Sequence, residues 1–180
     1  MRQIAVIGSA SIAEEFVKEL AQKVGVEIAK LNCHLVCGGL SGVMLESSRG
    51  FKSIQTDGKV IGLLPSYDPR TANEFVDIRI PTGMDIGRNQ LVVSSADVVI
   101  AIGGGAGTLS EISMASQLGK SIILIKGSGG WADKIDTSFL DSRENSKLYH
   151  LENINDLQQL LLKLTLKVSK SVMINSGADR

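Results

Sequence analysis

Short apolar runs recur along the chain, separated by longer amphipathic stretches, and no other feature limits the fold as strongly. The runs cover residues 3–7, 34–37, 60–64, 75–80, 98–102 and 121–126, and a short seventh covers 149–151. Val, Ile and Leu dominate most of them, as in parallel strands buried on both faces by helices. The stretches between them place apolar residues at helical spacing, for example Phe16, Val17, Leu20, Val24 and Ile28. Repeated β-α units of this kind predict an α/β fold with three layers and a doubly wound, mainly parallel sheet of six to seven strands.

Helices are expected over 13–31, 42–54, 84–95, 108–118 and 155–164. Gly25 is read as a break in the first and Gly119 as the stop of the fourth. Asp57 and Gly58 supply the turn that ends the second β-α unit, and Asn155 is the expected N-cap of the last helix. The chain has 180 residues, enough for one domain with a full core. That domain is assigned to 1–165, with 166–180 as a weakly periodic tail expected to fray. Tyr149 lies in the edge-strand candidate, and 65–74 is the most loop-like interior stretch.

Lys plus Arg and Asp plus Glu each number 19. This balance argues against a nucleic-acid partner held mainly by counterion release. No apolar run approaches the roughly 20 residues of a membrane-spanning helix, and the N-terminal run is too short for a signal peptide. The expected setting is the cytoplasm, with neither membrane nor nucleic acid as partner. Cys33 and Cys37 flank His34 but lack the second ligand pair usual in zinc sites, so no metal site is assigned. Cys37 ends an apolar run, where a thiol acts as a small hydrophobe.

The chemistry concentrates in IAIGGGAGTLSE, residues 100–111, where a buried strand meets a glycine turn and a helix start. Gly103, Gly104, Gly105 and Gly107 let ligand oxygens approach the backbone without a Cβ in the way. The N–H groups opening the helix, with its dipole, favour a phosphate there, and Thr108 can add its hydroxyl. A tight turn needing glycine only for packing is the alternative reading. The loop lacks the Lys of a P-loop and does not follow the first strand, which disfavours a P-loop ATPase and a standard NAD dehydrogenase.

Two further small-residue turns end strands: Gly8, Ser9 and Ala10 after the first, and the 38–42 turn with Gly38, Gly39 and Gly42 after the second. In a doubly wound sheet these turns share an edge with the glycine loop and converge on one crevice. Arg88 opens the stretch leading to the glycine-loop strand and can reach that crevice, where a guanidinium suits phosphate.

GGGAGTLSE resembles the PGGxGTxxE motif of the Lonely-Guy family, with Gly103 in place of Pro. MDIGRN, residues 84–89, resembles that family's M-x-x-RK motif, with one extra residue between Met84 and Arg88 and with Asn89 in place of Lys. The likeness runs through GSA, CGGLSGVM and VIGLLP to IILIKG and fades after about Gly130. The wider superfamily is Rossmann-like. It takes in phosphoribohydrolases, proteins once labelled lysine decarboxylases, and molybdenum-cofactor carriers. The combination TGMxxxRN, SADVVIAIGGGAGTLSE and VIGS is more similar to the carrier branch.

By this resemblance Arg88 and Glu111 match the family's catalytic pair. Gly8, Ser9, Gly38, Gly39, Gly42, Met84, Asn89, Gly103, Gly104, Gly105, Ala106, Gly107 and Thr108 are the expected phosphate or nucleotide site. The implied function is binding of a nucleotide or a phosphorylated, molybdopterin-type cofactor. The alternative is hydrolysis of a nucleoside 5′-monophosphate to base and ribose 5-phosphate, with Glu111 stabilising the cationic sugar or orienting water and no cofactor required. Glu111 in a first helical turn is also explained by the helix dipole alone. A pyridoxal-phosphate decarboxylase is excluded, since no Lys lies in the glycine turns and Lys120 sits at the far end of the helix. At least a homodimer is expected, through helix faces at 84–95 and 114–118.

Overall fold

The computed structural model describes the backbone of residues 1–136 and 147–175, with side chains to residue 166. Seven strands alternate with helices: β1 (Gln3–Gly8), α1 (Glu15–Lys30), β2 (His34–Cys37), α2 (Val43–Lys52), β3 (Val60–Leu64), β4 (Ile78–Pro81), α3 (Asn89–Ser94), β5 (Val98–Ile102), α4 (Ala106–Gln117), β6 (Ser121–Ile125), α5 (Gly130–Lys134), β7 (Lys147–Leu151) and α6 (Leu157–Asn175). All seven strands form one parallel sheet in the order β4-β3-β2-β1-β5-β6-β7. The chain steps outward from β1 to β4, then returns to lay β5 beside β1. The strand order therefore reverses between β1 and β5, and ligands of open α/β sheets bind at the carboxyl end of such a switch point.

The apolar runs explain the layers. Ile4, Val6, Ile100, Ile102 and Ile123 alternate onto one face and pack with α1, α2 and α6. Ala5, Ile7, Val99, Ala101 and Leu124 point to the other face and pack with α3, α4 and α5. Every residue of β5 is buried. Removing each large aliphatic side chain from water contributes about 1.5–3 kcal/mol, so the central strands carry much of the folding free energy. Asp97 fastens the amino end of the switch point: its carboxylate accepts from the Gln3 N–H at 2.9 Å and pairs with Arg2 at 3.4 Å. The opposite end of the sheet is left to loops.

Several local expectations are corrected. Gly25 does not break α1, which runs unbroken to Lys30. It lets α1 touch α2, because a Cβ on Gly25 would stand 1.9 Å from the Ser47 carbonyl and one on Gly50 would stand 2.0 Å from that of Gln22. The stretch expected as a helix over 84–95 is a 3-10 turn (Asp85–Arg88) followed by α3. β4 starts at Ile78 rather than 75, because the Asp77 side chain, not its backbone, takes up the Val60 N–H at 2.8 Å. Asn153, not Asn155, caps the last helical segment, accepting the Asn155 N–H at 3.1 Å. α6 continues past the expected boundary at 165 to Asn175; residues 176–180 of the expected tail lie outside the described residues.

Gly119 does end its helix, at a φ of +66°. Cys37 is buried and its sulfur accepts the Gly39 N–H, while His34 Nδ1 accepts the Lys59 N–H. These contacts engage both residues in the scaffold. No described helix is long and apolar enough to cross a membrane.

Candidate functional site

β5 delivers the chain to the switch point, and the residues after it must turn sharply to start α4. Gly103 and Gly104 make that turn at φ of +58° and +97°, a region that favours glycine. A Cβ on Gly104 would lie 2.4 Å from the Thr108 side chain. The turn is held from behind. Gly103 donates its N–H to Ser128 Oγ at 2.8 Å, and the carbonyls of Gly103 and Gly104 accept from the Ala132 and Trp131 N–H groups, each at 3.0 Å. Those contacts tie the loop's acceptors to α5.

α4 begins at Ala106, and Gly105 gives it no side-chain cap. The Leu109 N–H donates to the Gly105 carbonyl at 3.0 Å, opening the helical ladder. The N–H groups at the head of α4 therefore lack acceptors within the helix, which together with the dipole makes an anion-binding head.

The turns after β1 and β2 close against this loop. Gly8 packs so tightly that a Cβ would sit 2.4 Å from the Ile102 carbonyl. The Ser9 carbonyl accepts the Val43 N–H at 2.9 Å and Ser41 donates to the Ala10 carbonyl at 2.7 Å. Gly42, at a φ of +63°, lies where a Cβ would be 2.2 Å from the Ser9 carbonyl. These bonds draw two turns, separate in sequence, into one wall.

Arg88 comes from the 3-10 turn on the opposite wall. Its guanidinium lies over Gly38, where a Cβ would be 2.4 Å from Nη2. Arg88 Nη1 stands 3.6 Å from Glu111 Oε1, and both side chains are largely buried. Arg88 Nε is buried without a hydrogen-bond partner, a donor for which the described protein atoms supply no acceptor. Burial pushes the Glu111 carboxyl up to about 7, against the pull of Arg88. Near neutral pH Glu111 is thus partly protonated, and Arg88 presents a positive charge that is only partly neutralised.

Between these walls lies a cavity of about 350 Å³, within the range of small-molecule pockets. Gly8, Ser9, Gly38, Arg88, Asn89, Gly105, Gly107, Thr108 and Glu111 line it, so all three small-residue turns and both charged residues meet there. Other expected residues stand elsewhere. Gly39 and Gly42 shape the backbone behind the wall, Gly103 and Gly104 line an adjoining cavity, and Ala106 lines neither. Met84 is half exposed outside the lining, and Ile86 from the same turn lines the mouth instead. Asn89 is buried and donates from Nδ2 to Ser110 Oγ at 3.3 Å, bracing the head of α4.

Sequence reasoning missed Leu40, Met44 and Ile86, apolar residues that wall the cavity, and Ser128, which anchors the glycine loop. Ser128 had a visible signal. It sits in the Gly127–Ser128–Gly129–Gly130 cluster directly after an apolar strand, a fourth small-residue turn at the same sheet edge. The Asp133 carboxylate holds that turn by accepting the Gly127 and Gly129 N–H groups, each at 2.8 Å. The three apolar wall residues had no such signal, because their meeting depends on the packing of separate loops.

Comparison with known proteins agrees with this geometry. The profile of the SLOG cluster4 family matches residues 1–160. An uncharacterized protein of Archaeoglobus fulgidus is 42% identical over 126 residues, spanning 70% of this chain and 81% of that protein. Among solved structures, the molybdenum cofactor binding protein of the phototrophic bacterium Rippkaea orientalis superposes with a TM-score of 0.79 at 30% identity, covering 91% of this chain and 97% of that one. The molybdenum cofactor carrier protein of Chlamydomonas reinhardtii gives 0.78 at 28% identity, covering 92% and 99%.

Proposed function

This chain belongs to the SLOG cluster4 family, and from that premise we propose that its switch-point crevice binds and carries a phosphorylated pterin of the molybdenum-cofactor type. The observation that carries the reading is that Arg88, whose buried Nε has no partner among the described protein atoms, lines the same cavity as residues at the uncapped head of α4. A guanidinium and a row of backbone N–H groups together suit a phosphate monoester, whose oxygens accept from several directions. The apolar walls from Leu40, Met44 and Ile86 suit a flat heterocycle beside it. The likeness to carrier proteins in Rippkaea and Chlamydomonas supports the same cargo.

In this reading the phosphate sits on Gly105, Gly107 and Thr108, Arg88 supplies charge, Gly8 and Ser9 line the cavity with small residues, and Gly38 leaves room for the Arg88 guanidinium. Glu111 holds the guanidinium in place and tunes its charge. The working unit is the 1–165 domain as a cytoplasmic homodimer or higher homo-oligomer. The exposed Met84, Leu91 and Leu118 offer apolar contact area for it.

Calorimetric titration with the phosphorylated pterin tests the reading. One site per chain and an affinity weakened about 10- to 100-fold in Arg88→Ala are expected. Absence of binding overturns it. Release of free base from AMP, abolished in Glu111→Gln, would instead establish a nucleotide-hydrolysing enzyme.

A further inference from the structure

A second cavity of about 270 Å³ adjoins the first across the glycine loop. Ser9 and Gly105 line both, so the two spaces share a wall. The first takes Arg88, Thr108 and Glu111 from the α3–α4 side. The second takes Ser11, Ile12 and Glu14 from the loop before α1 and Val17 from its first turn, closed by Ile102 and the Gly103–Gly104 turn.

The ridge between them is open. A Cβ built on Gly105 would meet no atom within 4 Å, unlike Gly104 or Gly130, where a Cβ would strike protein atoms at 2.4 and 2.3 Å. Packing therefore does not require glycine at 105, but a ligand lying across the ridge does. The second cavity also has its own chemical character. Ile12, Val17 and Ile102 give it apolar sides for a base, and the Glu14 carboxylate at its rim can accept hydrogen bonds from the vicinal hydroxyls of a ribose.

Resting on the proposal that the first cavity holds a phosphorylated pterin, we infer that the second is a nucleoside subsite and that the full ligand is a diphosphate-bridged dinucleotide. Its diphosphate crosses Gly105 beside Ser9, with one phosphate on the head of α4. The pterin occupies the first cavity and the nucleoside the second. Each cavity is at or near the lower end of the volume range for small-molecule pockets, so neither alone would hold both halves.

The test compares one pterin presented as its monophosphate and as its nucleoside dinucleotide, by calorimetry on the full chain. The dinucleotide should bind at least tenfold more tightly. Ala13→Trp fills the second cavity from an exposed position and should remove that gain while leaving monophosphate affinity unchanged. Glu14→Gln should reduce the gain several-fold. Monophosphate binding with an equal or weaker dinucleotide overturns the second subsite and leaves the carrier reading intact. So does a gain that survives Ala13→Trp. Binding of neither ligand overturns both.

Discussion

The crevice has two differently built sides. The side from β5 and α4 is backbone: glycines at positive φ, carbonyls tied to α5, and N–H groups at the head of a helix. The side from the 3-10 turn is one side chain, Arg88, buried and 3.6 Å from the Glu111 carboxylate that α4 carries toward it. Backbone donors cannot titrate, so the first side offers an anion site of fixed strength and shape. The side-chain pair changes charge near neutral pH, because burial has pushed the Glu111 carboxyl up to about 7. Shape and charge are thus assigned to backbone and to side chains respectively, and each can be disturbed alone.

The largest effect should come from the backbone side. Gly104→Ala adds a Cβ 2.4 Å from Thr108 at a φ of +97°. Strain of about 1–3 kcal/mol should lower the melting temperature. Displacement of two charge-assisted donors should weaken phosphate binding by roughly 100-fold. Calorimetry and thermal denaturation read both; an Ala variant with native affinity would show that the loop serves packing only.

Arg88→Ala should come next, with a loss of about 10- to 100-fold in affinity for the phosphorylated ligand. It also removes the cation that holds the Glu111 carboxyl down, so that carboxyl should titrate higher still, as carbon-13 NMR of labelled Glu would show. No upward move would break the pairing drawn here.

A smaller, pH-dependent effect belongs to Glu111→Gln. The folded-state value lies above the ordinary 4.5, so this group's contribution to stability is full below about 4.5 and is lost as pH rises through 7. The shift corresponds to about 3 kcal/mol. The melting temperature of the Gln variant relative to the native protein should therefore climb between pH 5 and pH 8. Phosphate affinity of the native protein should fall relative to the variant over pH 6 to 8, as the ionised carboxylate neutralises Arg88. Parallel profiles for the two proteins would contradict the raised carboxyl.

The smallest effect on the crevice, none, is expected from Asn153→Ala. It removes the cap before α6, beyond the outermost strand β7, and should cost about 1 kcal/mol of stability without changing affinity.

The same contrast explains what the sequence made legible. Strands buried on both faces announce themselves by apolar runs, and β1, β2, β3, β5 and β6 begin at the expected residues; the less buried β7 begins two residues early, and β4 begins late because Asp77 replaces a backbone pairing with a side chain. Glycine turns were legible at the loop after β5, since positive φ at the end of an apolar run leaves few alternatives. Gly25 was not, because one residue type serves both as a helix breaker and as a contact between helices, and only the position of α2 decides. Arg88 beside Glu111 was suggested by motif resemblance; spacing alone could not have shown that the guanidinium lies over Gly38. Ile86 in place of Met84 followed from a 3-10 turn where a regular helix was expected.

The most direct measurement is a crystal structure with the phosphorylated pterin bound. The phosphate should lie within hydrogen-bond distance of the N–H groups at Gly107 and Thr108 and of the Arg88 guanidinium, with the heterocycle against Leu40 and Met44. A phosphate placed away from the head of α4, or a ligand bound outside the β1–β5 switch point, would contradict the account.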